Sequence, residues 1–129
     1  VGYDYTDRAL LGFSVNGMSG GNVLLSTSTA GGGKYACCVR LDPTIQTPFD
    51  IDVGYIREAL VEYPSERIIK PADQDIVRAH VRVTGPVAEK PAYPEVHFFP
   101  DGHIEASLSG KDGPSPTRLR LSRRLPYIR

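Results

Sequence analysis

A chain of 129 residues, 40% hydrophobic and 23% charged, is long enough to bury roughly two thirds of its unfolded surface in one core, and its composition excludes a disordered polymer. Fifteen basic residues offset fifteen acidic ones, so net charge gives no case for nucleic acid or an anionic membrane as partner. No run approaches the ~20 apolar residues of a membrane span. The start at Val1 is read as the mature part of a longer product, residues 1–129 forming a single β-rich domain from which a signal or lipid-anchor segment has been removed.

In chain order, strand-like alternation dominates. Leu11, Phe13 and Val15 alternate with Gly12 and Ser14, and Asn16-Gly17 with Ser19-Gly20-Gly21 predicts a turn before the apolar run Val23-Leu24-Leu25. Three glycines at 31–33 open a strand whose Tyr35, Cys37, Val39 and Leu41 share a face and which ends at Asp42-Pro43. Phe49, Ile51, Val53 and Tyr55 alternate with Asp50, Asp52 and Gly54, a strand with one wet face. Residues 56–63 are the one plausible helical turn, and Arg67 to Lys70 reads as a short extended piece. Val77, Ala79, Val81 and Val83 alternate with Arg78, His80 and Arg82 and give the clearest strand.

The stretch from Glu95 to Ser109 can be argued to register. A two-residue turn at Asp101-Gly102 would put Val96 and Phe98 on the face opposite Ile104, Ala106 and Leu108. A three-residue turn at Pro100-Asp101-Gly102, with Gly102 left-handed, pairs Phe98 with Ile104 and Val96 with Ala106, so the apolar side chains share one side. His97, Phe99, His103 and Glu105 then form the other, mixed polar face. A final strand alternates Leu119 and Leu121 with arginines. Seven to nine short strands with turn signals between them predict a mainly β fold, an antiparallel two-sheet β-sandwich or partly open barrel with at most one short helix.

Charge is unevenly spread. From Arg118 onward there are five arginines and no acid, a basic end that serves either as a solvated strand face or as a patch for an acidic partner surface. Cys37 and Cys38 are adjacent, with Cα atoms about 3.8 Å apart against the ~4.4–6.8 Å of ordinary disulfides, so both thiols are read as packed side chains.

Catalytic signatures are weak. Gly31 to Lys34 lacks the Gly five positions before Gly33 and the Ser/Thr after Lys that a Walker A loop needs, since Ser28 and Tyr35 stand there. Gly12-Phe13-Ser14-Val15-Asn16 has Asn where a nucleophile elbow ends in Gly. Asp50 and Asp52 lie on one strand face, as paired carboxylate chemistry would require, but such pairs are routine on exposed strands. His97, His103 and Glu105 are the best metal constellation, with a mixed polar strand face as the simpler reading. The expectation is a binding protein, with no enzyme activity, metal or cofactor.

Four segments carry a resemblance: Tyr3-Asp4-Tyr5-Thr6-Asp7-Arg8, then Phe13-Ser14-Val15-Asn16-Gly17, then Gly31-Gly32-Gly33-Lys34 running into Cys37-Cys38-Val39, and Val96-His97-Phe98-Phe99-Pro100-Asp101-Gly102. Over residues 3 to about 116 the chain resembles a family of small bacterial envelope lipoproteins of unknown function, members of which look like immunity proteins encoded beside type VI secretion lipase effectors. The resemblance implies a periplasmic, lipid-tethered protein whose partner is a secreted phospholipase that it neutralises. A structural or adaptor lipoprotein of the envelope and a small hydrolase are the alternatives. Aromatic and arginine side chains anchor such interfaces, which makes Tyr35, Tyr55, Tyr93, Phe99, Arg123 and Tyr127 the candidate partner-binding residues.

Overall fold

The computed structural model describes residues 1–25, 47–62, 65–84, 93–109 and 127–128, with backbone only at 93, 109, 127 and 128. Ten strands are described: β1 (Gly2–Asp4), β2 (Leu10–Val15), β3 (Met18–Val23), β4 (Phe49–Arg57), β5 (Leu60–Glu62), β6 (Ile68–Lys70), β7 (Val77–Val83), β8 (Tyr93–Phe98), β9 (Ile104–Ser109) and β10 (Tyr127–Ile128). Seven form one sheet in the order β1-β8-β9-β7-β4-β2-β3, and three form a second in the order β10-β5-β6. The large sheet curls until its edges approach. Asp4 makes a single parallel bridge to Leu25, and a Cβ on Gly2 would lie 2.7 Å from Val23 Cγ2. The result is a nearly closed barrel with an unsealed seam between β1 and β3.

The barrel is filled by the inward residues of alternating strands. Leu10, Phe13, Val15, Val23, Ile51, Val53, Val81, Val83, Val96, Phe98 and Ala106 form its buried core. Fully burying a Val, Leu or Phe side chain contributes roughly 1.5–3 kcal/mol, which makes this interior the main source of stability. Phe98 sits among aromatic edges, its ring centroid 5.9 Å from that of Phe13 and 5.2 Å from that of Tyr55, both in edge-on geometry.

Two hairpins set the registers. Asn16 (φ 50) and Gly17 (φ 82) form a two-residue turn of the primed type, the twist that antiparallel strands favour. Its Asn16 Oδ1 accepts from the Asp52 amide at 2.8 Å, tying the turn to β4. At the other hairpin Gly102 is left-handed at φ 93, and Phe98 faces Ile104 while Val96 faces Ala106, the register that the three-residue turn requires.

Several sequence expectations are corrected. Residues 56–63 are not helical where described: Ile56 and Arg57 continue β4, and the chain enters β5 at Leu60. Ladder bonds to β2 and the bond from Glu58 N to Ala9 O override a local helical preference of a few tenths of a kcal/mol per residue (~0.7 at most). Leu11 does not share a face with Phe13 and Val15. A register shift between Leu10 and Gly12 marks a bulge that turns Leu10 inward and leaves Leu11 52% exposed. Ser19-Gly20-Gly21 lies within β3 and not in the turn. The outer face of β8 is no solvated polar face, since Glu95, His97 and Phe99 are all buried. Two pairings, β1 with β8 and β7 with β9, are parallel. The expected strand at 35–41, the Cys37-Cys38 pair and the arginines from Arg118 on lie outside the described residues.

Gly20 is required by the core. A Cβ there would lie 2.2 Å from Phe13 Cζ, and that ring is held against Phe98. Gly20→Ala is therefore expected to lower stability by about 1–3 kcal/mol through overpacking, measured by urea denaturation, and the double variant with Phe13→Leu to recover part of the loss. An unchanged midpoint in Gly20→Ala would show that the Phe13 ring can move aside freely.

Candidate functional site

Beneath Tyr3 and Tyr5, the outward residues of β8 make a second buried layer. The His97 ring stacks on Tyr3 at 4.2 Å, and Phe99 packs on Tyr5 at 5.1 Å. His97 Nδ1 lies 2.9 Å from Tyr5 Oη, and its Nε2 lies 3.2 Å from Glu95 Oε1. The consistent proton assignment has Nε2–H donating to the carboxylate and Tyr5 donating to Nδ1. This chain of polar groups keeps a carboxylate and an imidazole hydrogen-bonded in the protein interior.

At one end of the barrel this layer opens onto a cavity of about 180 Å³. Leu10, Tyr55, Phe98, Phe99 and Ile104 supply its apolar wall, and Thr6, Asp7, Arg8, Arg57, Lys70 and His103 its polar one. The 4–8 segment is shaped by a local motif: Thr6 N donates to Asp4 Oδ1 at 2.9 Å, and the Thr6 hydroxyl sits between Asp4 Oδ1 and the Arg8 carbonyl. That turn carries Arg8 inward to 8% exposure, where its NH1 donates to Pro71 O at 2.9 Å.

Ion pairs join the mouth to the smaller sheet. Lys70 Nζ is 2.7 Å from Asp7 Oδ2, and Arg8 Nε is 3.4 Å from Asp7 Oδ1. Arg57 grips Asp73 with two parallel bonds of 2.8 and 2.9 Å while its own amide donates to the same carboxylate at 2.9 Å. The Asp73 carboxyl is held below its ordinary range, first by the Arg57 side chain, and Arg57 is raised in turn by Asp73. Burial pushes Asp7 upward, but the hydrogen bond from Lys70 and the charges of Lys70 and Arg8 outweigh it and leave its pKa lowered.

At the hairpin tip His103 stacks face to face on Phe99 at 4.3 Å. Its Nε2 is 2.8 Å from Glu105 Oε2, and its Nδ1 contacts Asp101. These carboxylates raise the His103 pKa, Glu105 first and then Asp101. His97 and His103 thus serve different partners, and among the described residues no three His, Cys, Asp or Glu side chains are placed to hold a metal ion.

The outer face of β4 and β7 carries the other carboxylate pair. Asp50 lies 3.3 Å from Arg82 Nε, and Asp52 pairs with His80 Nδ1. Each aspartate thus faces a base across the ladder, and Asp52 and His80, with Gly54, line a shallow groove of about 400 Å³.

Of the candidate partner-binding residues, Tyr55 and Phe99 come together at the cavity, Phe99 largely buried behind His103. Tyr93 lies in β8 and Tyr127 in β10, while Tyr35 and Arg123 lie outside the described residues. Sequence reasoning missed Arg8, Arg57, Lys70 and Asp73. The one local signal was Asp4-x-Thr6, a side-chain-capped turn ahead of a basic residue.

A nearly closed β-barrel with a core-filled interior and an ion-paired mouth defines the class. The chain belongs to the DUF3304 family, proteins of unknown function, whose profile matches residues 3–106. No curated protein and no solved structure matches it.

The hairpin tip responds to pH with a definite sign. A folded-state His103 pKa above its unfolded value adds stability that is present below the unfolded value, near 6.5, and is lost as pH rises through the folded one. We expect the imidazole titration, followed by NMR, to lie above that value and to fall in Glu105→Gln. Asp73 has the opposite sign: its contribution is present above the ordinary carboxylate value of 3.8 and fades as pH drops through the depressed one, so Asp73→Asn should flatten the acid limb of the stability profile.

Proposed function

We propose that this protein is a periplasmic, lipid-anchored immunity protein that binds a secreted type VI lipase effector and neutralises it by occlusion, without catalysis. The observation that carries a binding role is a band of apolar side chains across four neighbouring strands on the outside of the barrel. Leu24 follows β3, Leu11 stands out at the β2 bulge, Ile56 is paired opposite Gly12, and Ile76 immediately precedes the Val77–Tyr55 pair. Leu11 and Leu24 are each 52% exposed and Ile76 is 54% exposed.

An apolar strip of this kind, rimmed by polar residues, is a frequent mark of a protein interface. The adjoining charged groups, Arg57, Arg78 and Asp52, supply the polar rim that orients a partner. Tyr55, the neighbour of Ile56 in β4, faces the barrel mouth. The choice of a lipase as partner, and of the periplasm as compartment, rests on the four sequence segments that resemble immunity lipoproteins.

Co-expression of the chain with the neighbouring lipase in the periplasm tests the reading directly. Survival of the cells and co-purification of the two proteins are expected. Leu11→Asp combined with Ile76→Asp should weaken the complex by at least ~10-fold, as loss of interface anchors does, while the melting temperature shifts little because both positions are exposed. A lipase that stays fully toxic beside the wild-type chain would sink the proposal.

A further inference from the structure

We propose that the barrel mouth is a binding site for a compact monoanion, a carboxylate carried on a small apolar body. Three features of the cavity point there. Its walls divide into an apolar half, made by Leu10, Tyr55, Phe98, Phe99 and Ile104, and a cationic half. The size suits one small ring or branched chain, since an engineered cavity of ~150 Å³ accepts benzene and this one holds about 180 Å³. Among the described residues the cationic half is short of acceptors.

Arg8, Arg57 and Lys70 are served there by Asp7 and Asp73. Arg57 takes both oxygens of Asp73, and Lys70 takes one oxygen of Asp7. Arg8 is left with the remaining Asp7 oxygen at 3.4 Å, beyond good hydrogen-bonding geometry, so among the described residues its buried Nε has no hydrogen-bond partner. A guanidinium nine-tenths removed from water and missing an acceptor is costly. Among the described side chains at the mouth, the three cations outnumber Asp7 and Asp73 by one positive charge, the buried Asp4 carboxylate being turned onto Thr6, which suits a monoanion better than a phosphate dianion. The guanidinium plane matches a carboxylate, and Lys70 beside it adds a second donor. His103 lines the opposite lip, with its ring stacked on Phe99.

The carboxylate has two sources of the same chemistry, a free small acid or a Glu or Asp side chain that a protein partner inserts. The titration uses the folded protein alone, so its outcome is independent of the immunity reading. Benzoate is added at constant ionic strength while the Leu10 and Ile104 methyls and the Arg8 Nε–H are followed by NMR. Saturable shifts are expected, with neutral benzamide binding at least ~10-fold more weakly, as loss of a charge-assisted hydrogen bond implies.

Arg8→Gln should weaken benzoate by at least ~10-fold. Because Arg8 also bonds the Pro71 carbonyl, Lys70→Ala at an exposed position is the second variant, expected to cost about 3-fold in affinity with the fold retained. A blocked acetyl-Gly-Glu-Gly-amide peptide that displaces benzoate assigns the site to a partner's acidic side chain, and one that fails to displace it assigns the site to free acids. Absence of saturable shifts with benzoate and peptide alike, equal binding of benzamide, or full benzoate affinity in Lys70→Ala and Arg8→Gln would each overturn the proposal.

Discussion

The turn at Pro100-Asp101-Gly102 is the constraint on which most of the structure depends. Because side chains alternate along a strand, its three-residue length decides which of Glu95 to Phe99 face the barrel interior. With Gly102 left-handed, Val96 and Phe98 point inward and Glu95, His97 and Phe99 outward. Phe98 then becomes the meeting point of Phe13 from β2 and Tyr55 from β4, which joins one side of the barrel to the other. A slip of one residue would exchange those two sets and bury a carboxylate and an imidazole in an apolar interior.

The outward set creates its own demand. An imidazole and a carboxylate buried on the outer face require partners: they bond each other, while Tyr3 of β1 stacks on His97 and Tyr5, just after β1, bonds it. Parallel pairing of β1 with β8 puts Tyr3 level with His97, and the 4–8 turn that follows brings Arg8 to the mouth. Fold and candidate site are thus consecutive consequences of one hairpin.

Much of this was legible locally. The alternation in β4 and β7 and the register of the β8–β9 hairpin follow from apolar period and turn chemistry over fewer than fifteen residues. What escaped was decided at a distance. Leu11 departs from the face that alternation predicts because a bulge is set by the partner strands and leaves no mark in the alternation. Residues 56–57 and 60–62 are strand and not helix because Ala9 and the neighbouring strands compete for the backbone groups of this segment. The mouth was the least readable part, since Lys70 meets Asp7 across 63 positions of sequence and charged residues at that separation give no periodic signal. Tyr55 and Phe99 stood out as aromatics, but only the fold brings them to one cavity.

The seam between β1 and β3 has a mechanical meaning. A fully laddered barrel resists widening because every meridian is crossed by hydrogen bonds. Among the described residues one meridian is crossed by a single backbone bridge, Asp4–Leu25, and by the close approach of Gly2 to Val23 and Phe13, where an added Cβ would collide. Elsewhere around the wall the described ladders are longer, except between β7 and β9, where Val83–Ala106 is the one described pair. Over the described residues the circumference is therefore that of a split ring, whose girth is held at the split mainly by side-chain packing. A strain applied at the mouth would be taken up there while the antiparallel ladders of β2, β4 and β7 keep their registers.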